Sequence, residues 1–434
     1  MDHSDPVGEE ARLLVSNAPI RAPVNHARDV HVLSFAFLLI FLAYGAAQNL
    51  ESTVNTEEDL GTTSLGILYL SFTFFSLVAS LVVRALGTKN ALVLGTTGYW
   101  LFIAANLKPT WFTMIPASVY LGFAASIIWV GQGTYLTSTA RNHARNNGLH
   151  EGTIIGNFNG EFWGVFASHQ VIGNIISLVV LKNETGGRTN GTTILFIIFL
   201  CIVTLGIALM CFLRKEDSKE EEPSLSSSSL RVSILSLSKS VVAPLTNVRM
   251  ILAIPLIAYS GLQAAFVWAK FTKQVVTPSL GVSGVGGVMA IYGASDAICS
   301  LVAGRLTSGL PSITFLVSGG TVFQAIVFTW LLLGQSETLG AVYLLLISAL
   351  LGIGDGVFNT QLNALIGILF KHDTEGAFAQ LKVWQSATIS VVFFLSPYIS
   401  MEAMLVCILS VLCLSYVCFL TLTVWVEKSF SSTF

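Results

Sequence analysis

The sequence predicts an all-α polytopic membrane protein: twelve transmembrane helices forming two pseudo-symmetric six-helix halves. Three observations predict it. Of 434 residues, 53% are hydrophobic and only 11% are charged, against roughly 25% charged in soluble domains, so polar groups are too few to cover a water-exposed globule. The apolar residues gather in twelve runs, each near the ~20 residues that carry a helix across a ~30 Å hydrocarbon core. A charged, Ser-rich interruption at 214–248 then divides those runs six and six. Mean hydropathy is +0.74. The net charge of −2 supplies no field for nucleic acid, so no nucleic-acid partner is expected and the lipid bilayer is the first one.

The chain opens on a polar tail at 1–30, expected in the cytosol. No short apolar run with a small-residue cleavage site precedes the first span, so that span is read as uncleaved. Within the tail, Glu9, Leu13 and Leu14 fit an acidic dileucine pattern that a sorting adaptor captures. That pattern leaves an endosomal, vacuolar or lysosomal membrane and the plasma membrane as the two destinations.

The first half occupies 31–213, with spans near 31–50, 64–86, 90–106, 110–134, 158–181 and 192–213. The linker 214–248 is flexible and solvated by composition; Leu230, Ile234, Leu237 and Val241 have helical spacing suited to the inner leaflet. The second half occupies 249–426, with spans near 249–271, 285–306, 312–333, 339–364, 376–398 and 401–426, and a short tail follows at 427–434. Helices are preferred to a barrel because the runs are long and uniformly apolar, and backbone groups in lipid must be satisfied within the segment.

Orientation follows from where Lys and Arg fall. With both termini cytosolic, all but five of the 22 lie in inner segments or adjoining helix ends, Arg84, Arg141, Arg305, Lys371 and Lys382 among them. The five on the outer side are Lys108, Lys182, Arg188, Lys270 and Lys273. The chain's two N-x-S/T sequons, at Asn183 and Asn190, share one loop on that outer side and are the expected glycosylation sites.

The halves are related. Ala43–Gln48 reads A-Y-G-A-A-Q and Ala258–Gln263 reads A-Y-S-G-L-Q; Ser80–Arg84 and Ser300–Arg305 both open S-L-V and close on Arg; Leu121 and Leu351 precede Gln132 and Gln361. Each pair is displaced by six spans. Parallel six-span repeats with a site between them mark the major facilitator fold.

Polar residues at membrane depth are the functional candidates. Tyr44, Gln48, Tyr259, Gln263 and Asp296 are assigned to a central cavity, where the amides bind a polar solute or hydrogen-bond neighbouring helices. Asp296 is read as a coupling site or as a helix-to-helix hydrogen-bonding group. Arg84, Arg305, Asp355, Asn359 and Gln361 are assigned to an inner gate or structural lock, in which Asp355 pairs with Arg305 or belongs to an ion path. Gly152, Gly156, Gly160, Gly164 and Ser168 form a small-xxx-small ridge on span five. Its expected partner is Gly286, Ala290 and Ala294 on span eight. No acid occurs from 60 to 150, which weakens a proton-coupled reading.

Catalysis finds no pattern. Histidines at 3, 26, 31, 143, 150, 169 and 372 never take H-E-x-x-H spacing, and the six cysteines form no C-x-x-C. No catalytic residue, metal or cofactor is expected, and the protein is read as a non-enzyme.

A-A-Q-N-L-E-S-T-V-N at 46–55, G-Y-W-L-F-I-A-A-N at 98–106, G-Q-G-T-Y-L-T at 131–137, G-D-G-V-F-N-T-Q-L-N-A-L at 354–365 and the A-F-A-x-x-K-x-x-Q-S run from Ala377 to Ser386 together resemble the unc-93-like family, in plant-type wording. The resemblance covers most spans in order and implies a major facilitator fold. It also implies accessory work, regulating potassium-channel complexes or escorting membrane-protein cargo. The loop after span two holds Arg84, Gly87 and Lys89 without the Asp of the wider superfamily's gate motif, which puts ordinary alternating access in doubt. Two functions are therefore carried forward. One is a regulator of potassium and ion homeostasis acting on a channel or cargo. The other is a secondary transporter of a small solute or ion.

Overall fold

The computed structural model describes residues 26–55, 60–182, 188–215, 246–334, 340–395 and 398–426. Among them are twelve long helices and no strand: α1 His26–Val54, α2 Leu60–Leu86, α3 Thr88–Ala105, α4 Trp111–Asn147, α5 Glu151–Lys182 and α6 Arg188–Cys211, then α7 Val248–Phe266, α8 Thr277–Leu306, α9 Leu310–Leu333, α10 Ala341–Leu369, α11 Thr374–Leu395 and α12 Met401–Leu420. Helix ends are set by local chemistry. The Thr110 hydroxyl accepts from the Thr113 amide and Thr113 answers in kind, a reciprocal cap that starts α4. Gly148 ends α4 at φ 62, a left-handed conformation that costs glycine nothing. α7 does not stop before α8; it continues through wider π-helical turns at Val267–Val276, an irregularity often found beside functional sites.

Ten of the described helices are long and apolar enough to cross a membrane; α3 and α5 are not among them. α5 carries Asn157, Asn159, Glu161, His169, Gln170 and Asn174, and it packs between α1, α8 and α10, where polar groups find protein partners. Elsewhere large apolar side chains face outward, among them Phe112, Leu333 and Val342, each at least four-fifths exposed. Such a belt fits a lipid-facing surface.

Packing repeats with a six-helix displacement. α2 lies on α4 as α8 lies on α10; α1 meets α5 and α6 as α7 meets α11 and α12; α3 meets α4 and α6 as α9 meets α10 and α12. The two halves join through α5 with α8 and, reciprocally, α11 with α2. This is the parallel six-helix repeat read from the sequence, now seen as a pseudo-two-fold arrangement.

The α5 ridge sits on α8, but not in the expected register. A Cβ on Gly160 would lie 2.6 Å from the Gly304 Cα and 2.7 Å from the Ser300 carbonyl oxygen. Gly152 faces Gly309, and Gly164 faces Leu301 and Ala297. The helices run antiparallel, so Gly152 to Gly164 meet 297–309 and not the expected Ala290 and Ala294; further along α5, Ala167 and Gln170 lie against Gly293. The side chain of Gly286 lies outside the described residues.

One end of the bundle carries Arg84, Arg141, Arg305 and Lys371, and there charge ties the halves together. Arg84 pairs with Asp373 and lies 3.8 Å from the Glu375 carboxylate. The Arg141 guanidinium donates to the Gly367 carbonyl at 2.5 Å and the Thr374 hydroxyl at 3.2 Å, and sits 3.3 Å from Glu151. Lys371 reaches Glu151 at 3.0 Å. Arg84 thus finds its carboxylates across the interface, beside the start of α11.

Candidate functional site

A cavity of about 180 Å³ lies between the halves. Its walls follow helical spacing. α1 offers Phe41, Tyr44, Gly45 and Gln48, and α11 offers Lys382, Gln385, Ser386 and Ile389; both sets are i, i+3, i+4, i+7, one face of a helix. α5 adds Trp163, Phe166 and Gln170, α8 adds Asp296, and α10 adds Asp355 and Asn359 one turn apart. Trp268, from the π-helical turns after α7, also lines it.

The N-terminal half supplies an aromatic wall. Trp129 and Trp163 stack with centroids 5.8 Å apart and planes 8° apart. Above them stands Lys382, 4% exposed, its Nζ 4.6 Å from the Trp129 ring centroid and 5.9 Å from that of Trp163. A cation over such faces is attracted by the ring quadrupole. The same Nζ donates to Gln385 Oε1 at 3.1 Å, and Gln385 donates to the Ser260 hydroxyl at 3.2 Å.

The C-terminal half supplies two carboxylates. Tyr292 donates its hydroxyl to Asp355 Oδ2 at 2.7 Å and Asn359 Nδ2 donates to Oδ1 at 2.9 Å. Asp296 accepts from the Ser300 hydroxyl at 3.0 Å. Gln48 donates to the Tyr69 hydroxyl at 2.9 Å, and Tyr69 stacks on Phe393 of α11 at 5.6 Å, a further contact between the halves.

The residues expected at the cavity divide. Tyr44, Gln48 and Asp296 line it. Tyr259 and Gln263 do not: Tyr259 is buried against Phe358 at 5.1 Å, and Gln263 Nε2 donates to the Leu351 carbonyl at 3.5 Å. The repeat match pointed at the wrong face of α7. The helix presents Ala264 and Trp268 instead, and adjacent helical positions are about 100° apart.

The expected gate residues are not one cluster. Asp355 binds Tyr292 and Asn359; among the described residues no ion pair joins it to Arg305, which lies exposed at the basic end of α8. Asp355 and Asn359 face the cavity, and Arg84 joins the halves at the basic end. Gln361 accepts from the Thr307 hydroxyl at 2.9 Å and fastens α10 to α8. Glu161 pairs with His31, and the His169 Nδ1 donates to the Phe166 carbonyl at 2.6 Å while its ring lines the cavity. Glu9, Leu13, Leu14 and Asn183 lie outside the described residues, as does the side chain of Asn190.

The distribution of basic residues puts Lys382 with the inner helix ends; the structure puts it in the cavity instead. The signal was available as a polar stripe, Lys382, Gln385 and Ser386, on one face of an otherwise apolar span. Trp129 and Trp163 carried no signal apart from apolar helix-filling residues.

The family model described as "Ion channel regulatory protein UNC-93" matches residues 52–420. The chain belongs to the UNC-93 family. UNC93-like protein 3 of Arabidopsis thaliana is 64% identical over 408 residues, covering 92% of this chain and 88% of that protein, in keeping with the plant-type wording. "Putative potassium channel regulatory protein unc-93" of Caenorhabditis elegans is 29% identical, covering 86% of this chain and 57% of its own greater length. Among solved structures, a Major Facilitator Superfamily transporter, FucP, in the outward conformation, superposes with a TM-score of 0.63 at 12% identity, covering 91% of this chain and 98% of that one. At that identity the likeness shows the fold alone, the major facilitator fold. This UNC-93 member is therefore a multi-pass integral membrane protein with a charged cavity at the pseudo-two-fold.

Proposed function

We propose that this UNC-93 protein is a non-enzymatic regulator of an ion channel and serves potassium homeostasis. The observation that carries the reading is the family match over residues 52–420, which takes in every described helix from the end of α1 through α12. The potassium channel in the worm relative's name supplies the cation. The partner is a cation channel or another membrane-protein cargo, met at the lipid-facing surface. The reading has both termini and the 214–248 linker in the cytosol, supported by the Arg and Lys at one end of the bundle. It has glycans on Asn183 and Asn190 outside, and an adaptor reading Glu9, Leu13 and Leu14 for an endosomal or vacuolar route; the plasma membrane is the other destination. Affinity purification of the tagged full-length protein from native membranes tests it. A pore-forming potassium-channel subunit should co-purify reproducibly. Repeated recovery without any channel subunit contradicts the reading.

One observation favours a second reading, secondary transport of a small solute: Lys382, Asp296 and Asp355 all line one cavity between two halves that can rock. Flux into liposomes holding only this protein, abolished by Asp296→Asn or Asp355→Asn, would establish that reading and remove the purely accessory one. Liposomes that show no flux would remove transport.

A further inference from the structure

The cavity holds charges of both signs that do not touch. Among the described residues no N–O approach within 4.0 Å joins Lys382 to Asp296 or Asp355. Lys382 and Asp296 are only 4% and 6% exposed. Unpaired buried charge costs several kcal/mol per ion, so sequences seldom keep it without a partner. Neighbouring groups compensate only in part. Lys382 has an amide oxygen and two indole faces; Asp355 has two donors and Asp296 one.

The two signs come from different walls. Lys382 rises from α11 over the Trp129–Trp163 pair of the N-terminal half. Asp296 and Asp355 come from α8 and α10, which pack closely: Gly356 lies so near Asp296 that a Cβ there would meet its backbone oxygen at 2.7 Å. The carboxylates thus form one acidic wall, fixed by Tyr292 and Ser300. A plain anion would satisfy Lys382 and leave that wall uncompensated. A plain cation would do the reverse.

We propose that this cavity is a binding site for a small zwitterion of amino-acid type, its carboxylate on Lys382 and its ammonium on the Asp296–Asp355 wall. The cavity, at about 180 Å³, suits a solute of aliphatic amino-acid size. Gln48 and Asn359 supply further hydrogen-bonding groups on opposite walls. The inference deepens the reading that the cavity receives a solute, and it needs no transport: the same site on a channel regulator would sense that solute.

Thermal unfolding of the detergent-solubilised full-length protein, followed by tryptophan fluorescence, tests it. The probes are L-alanine, β-alanine and γ-aminobutyrate, with propionate and propylamine as controls bearing one charge each. At least one zwitterion should raise the melting temperature saturably, at concentrations about tenfold or more below either control, because each control lacks one charge-assisted contact. Lys382→Met should abolish the response while leaving the protein folded. If that variant does not fold, Asp355→Asn should raise the required concentration by a similar factor. Equal potency of propionate, equal potency of propylamine, or no shift with any zwitterion overturns the proposal. Liposome flux separates this from the transport reading. Binding without flux keeps the site and removes transport, whereas flux of a solute that is not zwitterionic keeps transport and removes this assignment.

Discussion

At the scale of single residues, the chain places its most expensive groups where no soluble protein would need them. Asp355 is held from both sides, by the Tyr292 hydroxyl and the Asn359 amide. Hydrogen bonds to a charged group contribute about 1.5–3 kcal/mol each. A double-mutant cycle of Tyr292→Phe and Asp355→Asn, read by thermal or denaturant unfolding in detergent, should therefore give a coupling energy of about 1.5–3 kcal/mol; additive losses would mean the contact contributes nothing. Part of this site was legible in advance. Asp296, Tyr44 and Gln48 stand out as polar groups in apolar helices, and hydropathy alone exposes them. Lys382 was harder to read: a lysine seven residues into a span looks like one snorkelling to the interface, and its stripe with Gln385 and Ser386 marks a polar face without saying that the face points inward. Only the packing of α11 against the Trp129–Trp163 stack shows that its charge points inward.

At the scale of helices, the contact between α5 and α8 depends on having nothing where side chains would be. Gly160 and Gly304 approach so closely that a Cβ on either would meet the other's Cα, at 2.6 and 2.4 Å. Overpacking of this kind costs about 1–3 kcal/mol. Gly160→Val should lower the unfolding free energy by an amount in that range, seen as a lower melting temperature, whereas Gly66→Ala, with open space around it, should be neutral or stabilising by up to about 1 kcal/mol. Equal effects at the two positions would contradict the close approach. The four-residue spacing made the ridge legible, and α8 as its partner too. The register was not. Small residues occur along most of α8, and nothing in their spacing distinguishes 286–294 from 297–309. The same limit explains α7: the repeat identified the helix that lines the cavity but not its rotation, so Gln263 was assigned to a face it does not present.

At the scale of the whole molecule, the halves are joined at their basic end by a network in which Arg141 reaches the Gly367 and Lys371 carbonyls, Thr374 and Glu151. Its side chain is 15% exposed, against 31% for Arg84, and exposed ion pairs contribute only about 0–1 kcal/mol. Arg141→Ala should accordingly loosen this end more than Arg84→Ala. Hydrogen exchange of the 367–375 segment reads the difference: uptake should rise clearly in the first variant and slightly in the second. The twelve-helix duplicated architecture was legible because length, hydropathy and a six-span displacement all constrain it together. The inter-half network was less so, because its partners lie far apart in sequence and belong to different repeats.

The regulatory reading proposed above requires that this UNC-93 protein change the behaviour of a cation channel. The most direct measurement is the single-channel recording of a co-purified potassium channel in a planar bilayer, with and without the purified protein at equal channel density. A regulator should change open probability severalfold when added, with unitary conductance unchanged. Identical gating in the two preparations would contradict it.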